Sequence, residues 1–108
     1  MGVVTVELDV FSGEPNPSWV LNPGQAHEAE SRLRDLPAGQ GGRPEGKLGY
    51  RGFLVAFQDC HGRTEAVQIG AGLVERAGEV FEDVRGAEAW LMRMAEDRGF
   101  GALLPEPR

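Results

Sequence analysis

Asp9, Ser12, Glu14 and Asn16 fall within eight residues of one another and bring carboxylate, hydroxyl and amide oxygens together. Oxygens grouped in this way could bind a hard cation or orient a polar ligand. The same residue types satisfy loop backbone amides by themselves, so a structural role competes with a ligand site. A second group is Tyr50-Arg51-Gly52-Phe53. Tyr and Arg are favoured at binding hot spots, and Arg51 could pair with Asp9 or Glu7 if their strands are neighbours. Asp9 would then be a candidate general base and Arg51 a stabiliser of negative charge. The plainer alternative is a cross-strand pair with no further role. With Trp19 closing the loop, the candidate binding residues are Asp9, Ser12, Asn16, Trp19, Tyr50 and Arg51.

Other motifs lack the context their chemistry needs. Gly41–Lys47, GGRPEGK, fits the spacing of a phosphate-binding loop, but Leu48 stands where a Ser or Thr would hold magnesium. No strand pattern precedes it and no helix pattern follows. Gly70-Ala71-Gly72 is half of a dinucleotide fingerprint, with Glu75 in place of the third glycine; a bulge or kink in a sheet accounts for it equally. Asp59, Cys60 and His61 are consecutive, whereas metal ligands prefer wider spacings. A turn in which Asp59 bonds its own backbone is the better reading. His27 could join His61 only if the fold brings them together. Neither a metal nor a cofactor is expected, and Asn16-Pro17-Ser18 is no glycosylation sequon because of its central proline.

The elements that must position these residues are legible in part. Val4, Val6, Leu8 and Val10 alternate with Thr5, Glu7 and Asp9, which predicts a half-buried strand. Two prolines and a glycine in Ser12–Ser18 then allow few backbone paths. Asn22, Pro23 and Gln25 form a helix start of capping-box type. Ala26, Ala29, Leu33 and Leu36 give that helix a thin apolar face, and Pro37 stops it. Ala38–Lys47 is glycine-rich and predicts a flexible connector, of which Gly39–Gly46 is expected to be dispensable. Tyr50–Phe57 and Glu65–Ile69 read as strands around a Gln58–Thr64 turn. Leu73–Val74 and Glu79–Glu82 read as a further hairpin or one bent strand. Asp83 can cap a last helix whose Ala87, Trp90, Leu91, Met94 and Ala95 share a face, with Gly99 able to end it. Trp90 and Leu91 are both expected in the core. The tail after Ala102 is expected to fray at its end. The chain is thus expected to be one α+β domain over residues 1–108. Its sheet would be mainly antiparallel, of four to five strands, with two helices packed on one face.

Bulk properties exclude some functions. The net charge of −6, from 17 acidic and 11 basic residues, disfavours non-specific binding to nucleic acid or to an anionic membrane. Apolar runs are too short to span a bilayer. A single cysteine, Cys60, excludes an intrachain disulfide. MGVVTVELDV reads as a first strand and not a signal peptide, so a bacterial cytoplasm is the expected location.

Asp9-Val10-Phe11-Ser12-Gly13, Pro15-Asn16-Pro17 and Trp19, followed by Leu48-Gly49-Tyr50-Arg51-Gly52-Phe53, resemble small uncharacterised bacterial proteins of about this length. Those carry D-x-F-S-G-x-P-N-P-x-W and then L-G-Y-R-G-F. The resemblance covers about a third of the chain and implies that the two segments form one unit. In that group the position of Glu14 often carries Arg, a departure that weakens any anion-binding role for the loop. The resemblance brings no activity with it.

Two readings of function follow. The first is a non-catalytic binding or accessory module that holds a protein or small-molecule partner through the 12–19 loop and the 50–53 strand. The second is a small enzyme with Asp9 as base and Arg51 as anion stabiliser. A homodimer joined through an exposed strand is a third arrangement. The setting of Asp9 discriminates: a concave pocket favours the enzyme, and hydrogen bonds that tie down the loop favour the module.

Overall fold

The alternation of the first strand places Val4, Val6, Leu8 and Val10 in the core, none more than 9% exposed, while Thr5, Glu7 and Asp9 stay half-buried on the other side. A computed structural model describes residues 2–10, 13, 15–39 and 50–105. Met1, Phe11, Ser12, Glu14, residues 40–47 of the expected connector with its GGRPEGK segment, Leu48, Gly49 and the last three residues lie outside the described residues. The elements are β1 (Val3–Leu8), β2 (Ser18–Val20), α1 (Pro23–Arg32), β3 (Phe53–Gln58), β4 (Thr64–Gly70), β5 (Leu73–Arg76), β6 (Glu79–Glu82) and α2 (Ala87–Asp97). A 3-10 turn, Gly101–Leu103, follows α2.

The strands form one antiparallel sheet in the order β2-β1-β3-β4-β5-β6. Six strands stand where four to five were expected. The extra one is β2, whose three residues pair with β1 directly after the proline loop; so short a strand has no alternation to read. The β5–β6 region is a true hairpin, not one bent strand. Ala71-Gly72 and Ala77-Gly78 each have positive φ at both positions, the mirror-type turn that suits the twist of paired strands. The Gly70-Ala71-Gly72 motif is therefore hairpin chemistry. Ala38 and Gly39, expected to open the connector, instead lie along β6. Gly39 N–H donates to Val80 C=O at 2.8 Å, and Glu82 N–H to Pro37 C=O at 2.9 Å.

One face of the sheet carries Val6, Leu8, Phe53, Val55, Val67, Ile69 and Val74, all at most 1% exposed. Ala29 and Leu33 from the α1 region and Ala87, Leu91, Met94 and Ala95 of α2 join the same cluster. Trp90 departs from expectation. It is only half-buried, with the Arg32 guanidinium 5.5 Å from its ring centre.

The helix ends follow local chemistry. Asn22 and Gln25 exchange the reciprocal bonds of a capping box at 2.8 and 3.0 Å. The helix ends at Arg32, short of the expected Leu36, and Asp35 turns the chain with φ +54°. Arg85 and Arg76 donate to the Ser31 and Leu33 carbonyls at 3.3 and 3.5 Å, where cations meet the negative end of a helix. The α2 cap is displaced from its expected form. Gly86 occupies the cap position, but Asp83 accepts the N–H groups of Ala87 and Glu88 at 2.7 and 2.9 Å. At the far end, Phe100 N–H reaches Ala95 C=O and Gly99 N–H reaches Glu96 C=O, a Schellman ending with Gly99 at φ +90°.

Candidate functional site

Simple alternation places Arg51 on the same face as Phe53, away from Asp9. The structure removes that conflict with a bulge. Asp9 N–H donates to Gly52 C=O at 2.9 Å, and Arg51 N–H donates to Asp9 C=O at 2.8 Å. Two residues of one strand thus share a single partner on the other, and the extra residue re-aims its side chain. Gly52 makes this possible. Its φ is +103°, and a Cβ there would lie 2.1 Å from the Ile69 carbonyl oxygen. Only glycine tolerates both conditions.

The bulge brings the Arg51 guanidinium onto Asp9. Nη2 and Nε donate to the same Asp9 Oδ1 at 2.9 and 3.3 Å. The Asp9 side chain is 18% exposed and that of Arg51 39%. The hydrogen bond to Asp9, and then the charge of Asp9, raise the Arg51 pKa above its ordinary value. Asn16 completes the corner. Its Oδ1 accepts the Val10 N–H at 3.1 Å, and its Nδ2 donates to Glu7 Oε2 at 2.8 Å and Asp9 Oδ1 at 3.4 Å. Leu8 N–H donates to Pro17 C=O at 2.9 Å. Residues 15–17 are thus fastened across the end of β1 by backbone and side-chain bonds together.

The other expected site residues separate. Tyr50 borders the corner through its backbone, but its hydroxyl turns to α2 and donates to Glu88 Oε2 at 2.6 Å. Its ring meets Phe53 edge-on, with centres 6.1 Å apart. Glu88 Oε1 also accepts the Gly72 N–H at 3.2 Å. Burial, the hydrogen bond to Glu88 and the charge of Glu88, in that order, push the Tyr50 pKa far above the ordinary phenol value. Trp19 lies in the core at 6% exposure. Its Nε1–H points at Met94 Sδ at 3.0 Å, Phe100 stacks on it at 5.9 Å, and Arg98 lies 5.3 Å above the ring. A ring so enclosed packs the helix end and is not presented to a ligand. Ser12 falls outside the described residues.

Glu7 enters the corner through Asn16. Its shared face with Asp9 at period two was the available signal. Glu88 had none, because only the fold brings α2 to Tyr50. Asp59 behaves as its turn chemistry predicts, its Oδ1 accepting the His61 and Arg63 N–H groups at 2.9 Å each. Among the described residues no three His, Cys, Asp or Glu side chains come together as a metal site. No described helix is long and apolar enough to cross a membrane.

Two concavities lie away from Asp9. A groove of about 770 Å³ runs between the start of α1 and the opposite end of the sheet, lined by Val3, Val20, Leu21, Ala26, Phe57 and polar neighbours. A smaller one of about 390 Å³ lies beside Leu54, Gln68 and Glu75.

Tyr50 is the chain's single tyrosine, so alkaline absorbance titration reads it directly. An acid whose folded pKa is raised adds stability fully present below the unfolded value and lost as pH climbs toward the folded one. The window opens near pH ~10, the ordinary phenol pKa. Tyrosinate absorbance is expected to appear only together with loss of the near-ultraviolet circular dichroism of the folded chain. Ionisation near pH ~10 with the fold intact would show that the Glu88 contact does not persist in solution.

No protein-family model, curated protein or solved structure matches the chain.

Proposed function

We propose that the chain is a small non-catalytic binding module that holds a protein partner at the corner formed by residues 15–17 and 50–53. The observation that carries this reading is the bulge at Arg51-Gly52, which turns a strand cation onto the carboxylate that anchors the loop. Bulges re-aim side chains at functional rims. A rigid strand pair with a fastened loop is a common way to present a binding surface. Both helices cover one face of the sheet in this reading, so the partner meets the side carrying Glu7, Asp9 and Leu54. Asp9 as a general base has less support. Its Oδ1 already takes bonds from Arg51 and Asn16, and neither described concavity includes it.

A double-mutant cycle tests the corner. Asp9→Asn and Arg51→Ala are expected to be strongly non-additive in urea denaturation, because each removes the other's charged partner. Each variant should stay folded and lose the binding partner that immobilised wild-type protein retains from an extract of its host. Additive effects, or full retention by Arg51→Ala, would move the binding surface elsewhere. A turnover abolished by Asp9→Asn alone would favour the enzyme reading.

A further inference from the structure

The two edges of the sheet are treated differently. The outer side of β6 is paired by residues 37–39 through two backbone bonds. Among the described residues nothing pairs with the outer side of β2. The register says which groups that edge presents. Leu8 N–H bonds to Pro17 C=O and Leu21 N–H bonds to Val4 C=O, while Trp19 stands opposite Val6. Hydrogen-bonded pairs alternate along an antiparallel ladder, so Trp19 turns its N–H and C=O toward β1. Ser18 and Val20 turn theirs outward. Two donors and two acceptors in extended geometry are complementary to an extended backbone and to little else.

A second observation lies beside this edge. The 770 Å³ groove begins at Val20 and Leu21, the C-terminal end of the strand. Val3 and Val20, two of the three large hydrophobic residues exposed on the described surface, line it at 47% and 60% exposure. Its charged lining is unbalanced. Glu65 is neutralised by Arg76 at 2.6 Å, and Arg76 lies over Phe57. That leaves Glu30 and Asp59 against Arg63, with His27 on the helix side. The whole chain carries −6.

We propose that β2 is a docking edge for an extended segment of another protein, which adds as a seventh strand and lowers an apolar side chain, flanked by Lys or Arg, into the groove. In strand addition the backbone bonds supply affinity and the adjoining pocket supplies selectivity. Pro17 and Pro23 bound the edge on either side, which limits pairing to a short segment and discourages open-ended aggregation. A second copy of this chain is a poorer occupant, because two surfaces of the same negative sign would meet. The groove lies at the Val3–Val4 end of β1 and the Asp9–Arg51 corner beyond Leu8, so substitutions at Val20, the groove end of the edge, test this surface apart from the corner.

The probe is a displayed library of random peptides of about ten residues, selected on immobilised wild-type protein. Selected peptides are expected to be basic with one large apolar residue, and at saturation to slow amide exchange of Ser18 and Val20 about tenfold or more. Val20→Pro removes one outward N–H, and Val20→Lys places a cation on the edge. Each should weaken the peptides about tenfold or more. Val84→Lys, at a residue equally exposed (62%) but away from the edge, should leave affinity unchanged. Thermal melting checks that Val20→Lys is folded if Val20→Pro is not. Peptides indifferent to Val20→Lys, or a library yielding no binder that protects Ser18 and Val20, would overturn the proposal. So would a wild-type dimer in sedimentation that Val20→Lys converts to monomer, since a second copy would then occupy the edge.

Discussion

Gly52→Ala is expected to destabilise the fold by about 3 kcal/mol or more, the upper end of the cost of a forced backbone conformation. Two effects act together. A φ of +103° is closed to alanine without strain, and the new Cβ would stand 2.1 Å from the Ile69 carbonyl oxygen. That oxygen belongs to β4 in the middle of the sheet, so it cannot move aside without breaking the pairing of Phe53 with Ile69. The alternative escape is to iron out the bulge. Arg51 would then return to the face of Phe53 and Leu8, both fully buried, where taking a guanidinium out of water is costly. Gly62→Ala is the control. Gly62 also has positive φ, +80°, but nothing lies within 4 Å of its added Cβ, so its cost should stay near the ~1–2 kcal/mol of left-handed backbone alone. Urea denaturation of the two variants isolates the steric part. Equal costs would mean that the 50–53 segment adjusts easily and that the corner is not held by Gly52.

The period-two pattern of residues 3–10 and the 3.6 pattern of residues 87–95 were readable because each buries one face. Asn22, Pro23, Asp59 and Gly99 were readable because their roles are local. What could not be read depends on contacts distant in sequence. The approach of Arg51 to Asp9 was expected from charge, yet alternation alone argued against it; only the bulge reconciles the two, and Gly52 was its one local sign. Trp19 was misplaced for a related reason. A tryptophan that closes a polar loop can face solvent or core, and the choice is made by Met94, Phe100 and Arg98, about eighty residues away in sequence. Tyr50 adjoins Arg51 in the chain, whereas its hydroxyl belongs to Glu88. Residue types were identified better than the directions in which they point.

The last helix offers the sharper test of that lesson, because side-chain size and burial disagree there. Leu91→Ala is expected to cost about 2–5 kcal/mol, and Trp90→Ala distinctly less although it deletes the larger group. Leu91 is 1% exposed and belongs to the central cluster. Its removal leaves a cavity beneath the sheet that relaxed neighbours cannot fill, and cavity and transfer costs add. Trp90 lies at the margin of the same cluster. Its most specific partner is Arg32, worth about 0.5–1 kcal/mol as an exposed cation–π contact. Arg32 is also held by Glu28 at 2.7 Å and by the Arg85 carbonyl at 2.7 Å, so it keeps its place when the indole is gone. Equilibrium unfolding of the two variants gives the order directly. If Trp90→Ala proved the more damaging, the indole would be packing α1 against α2 far more deeply than its exposure indicates.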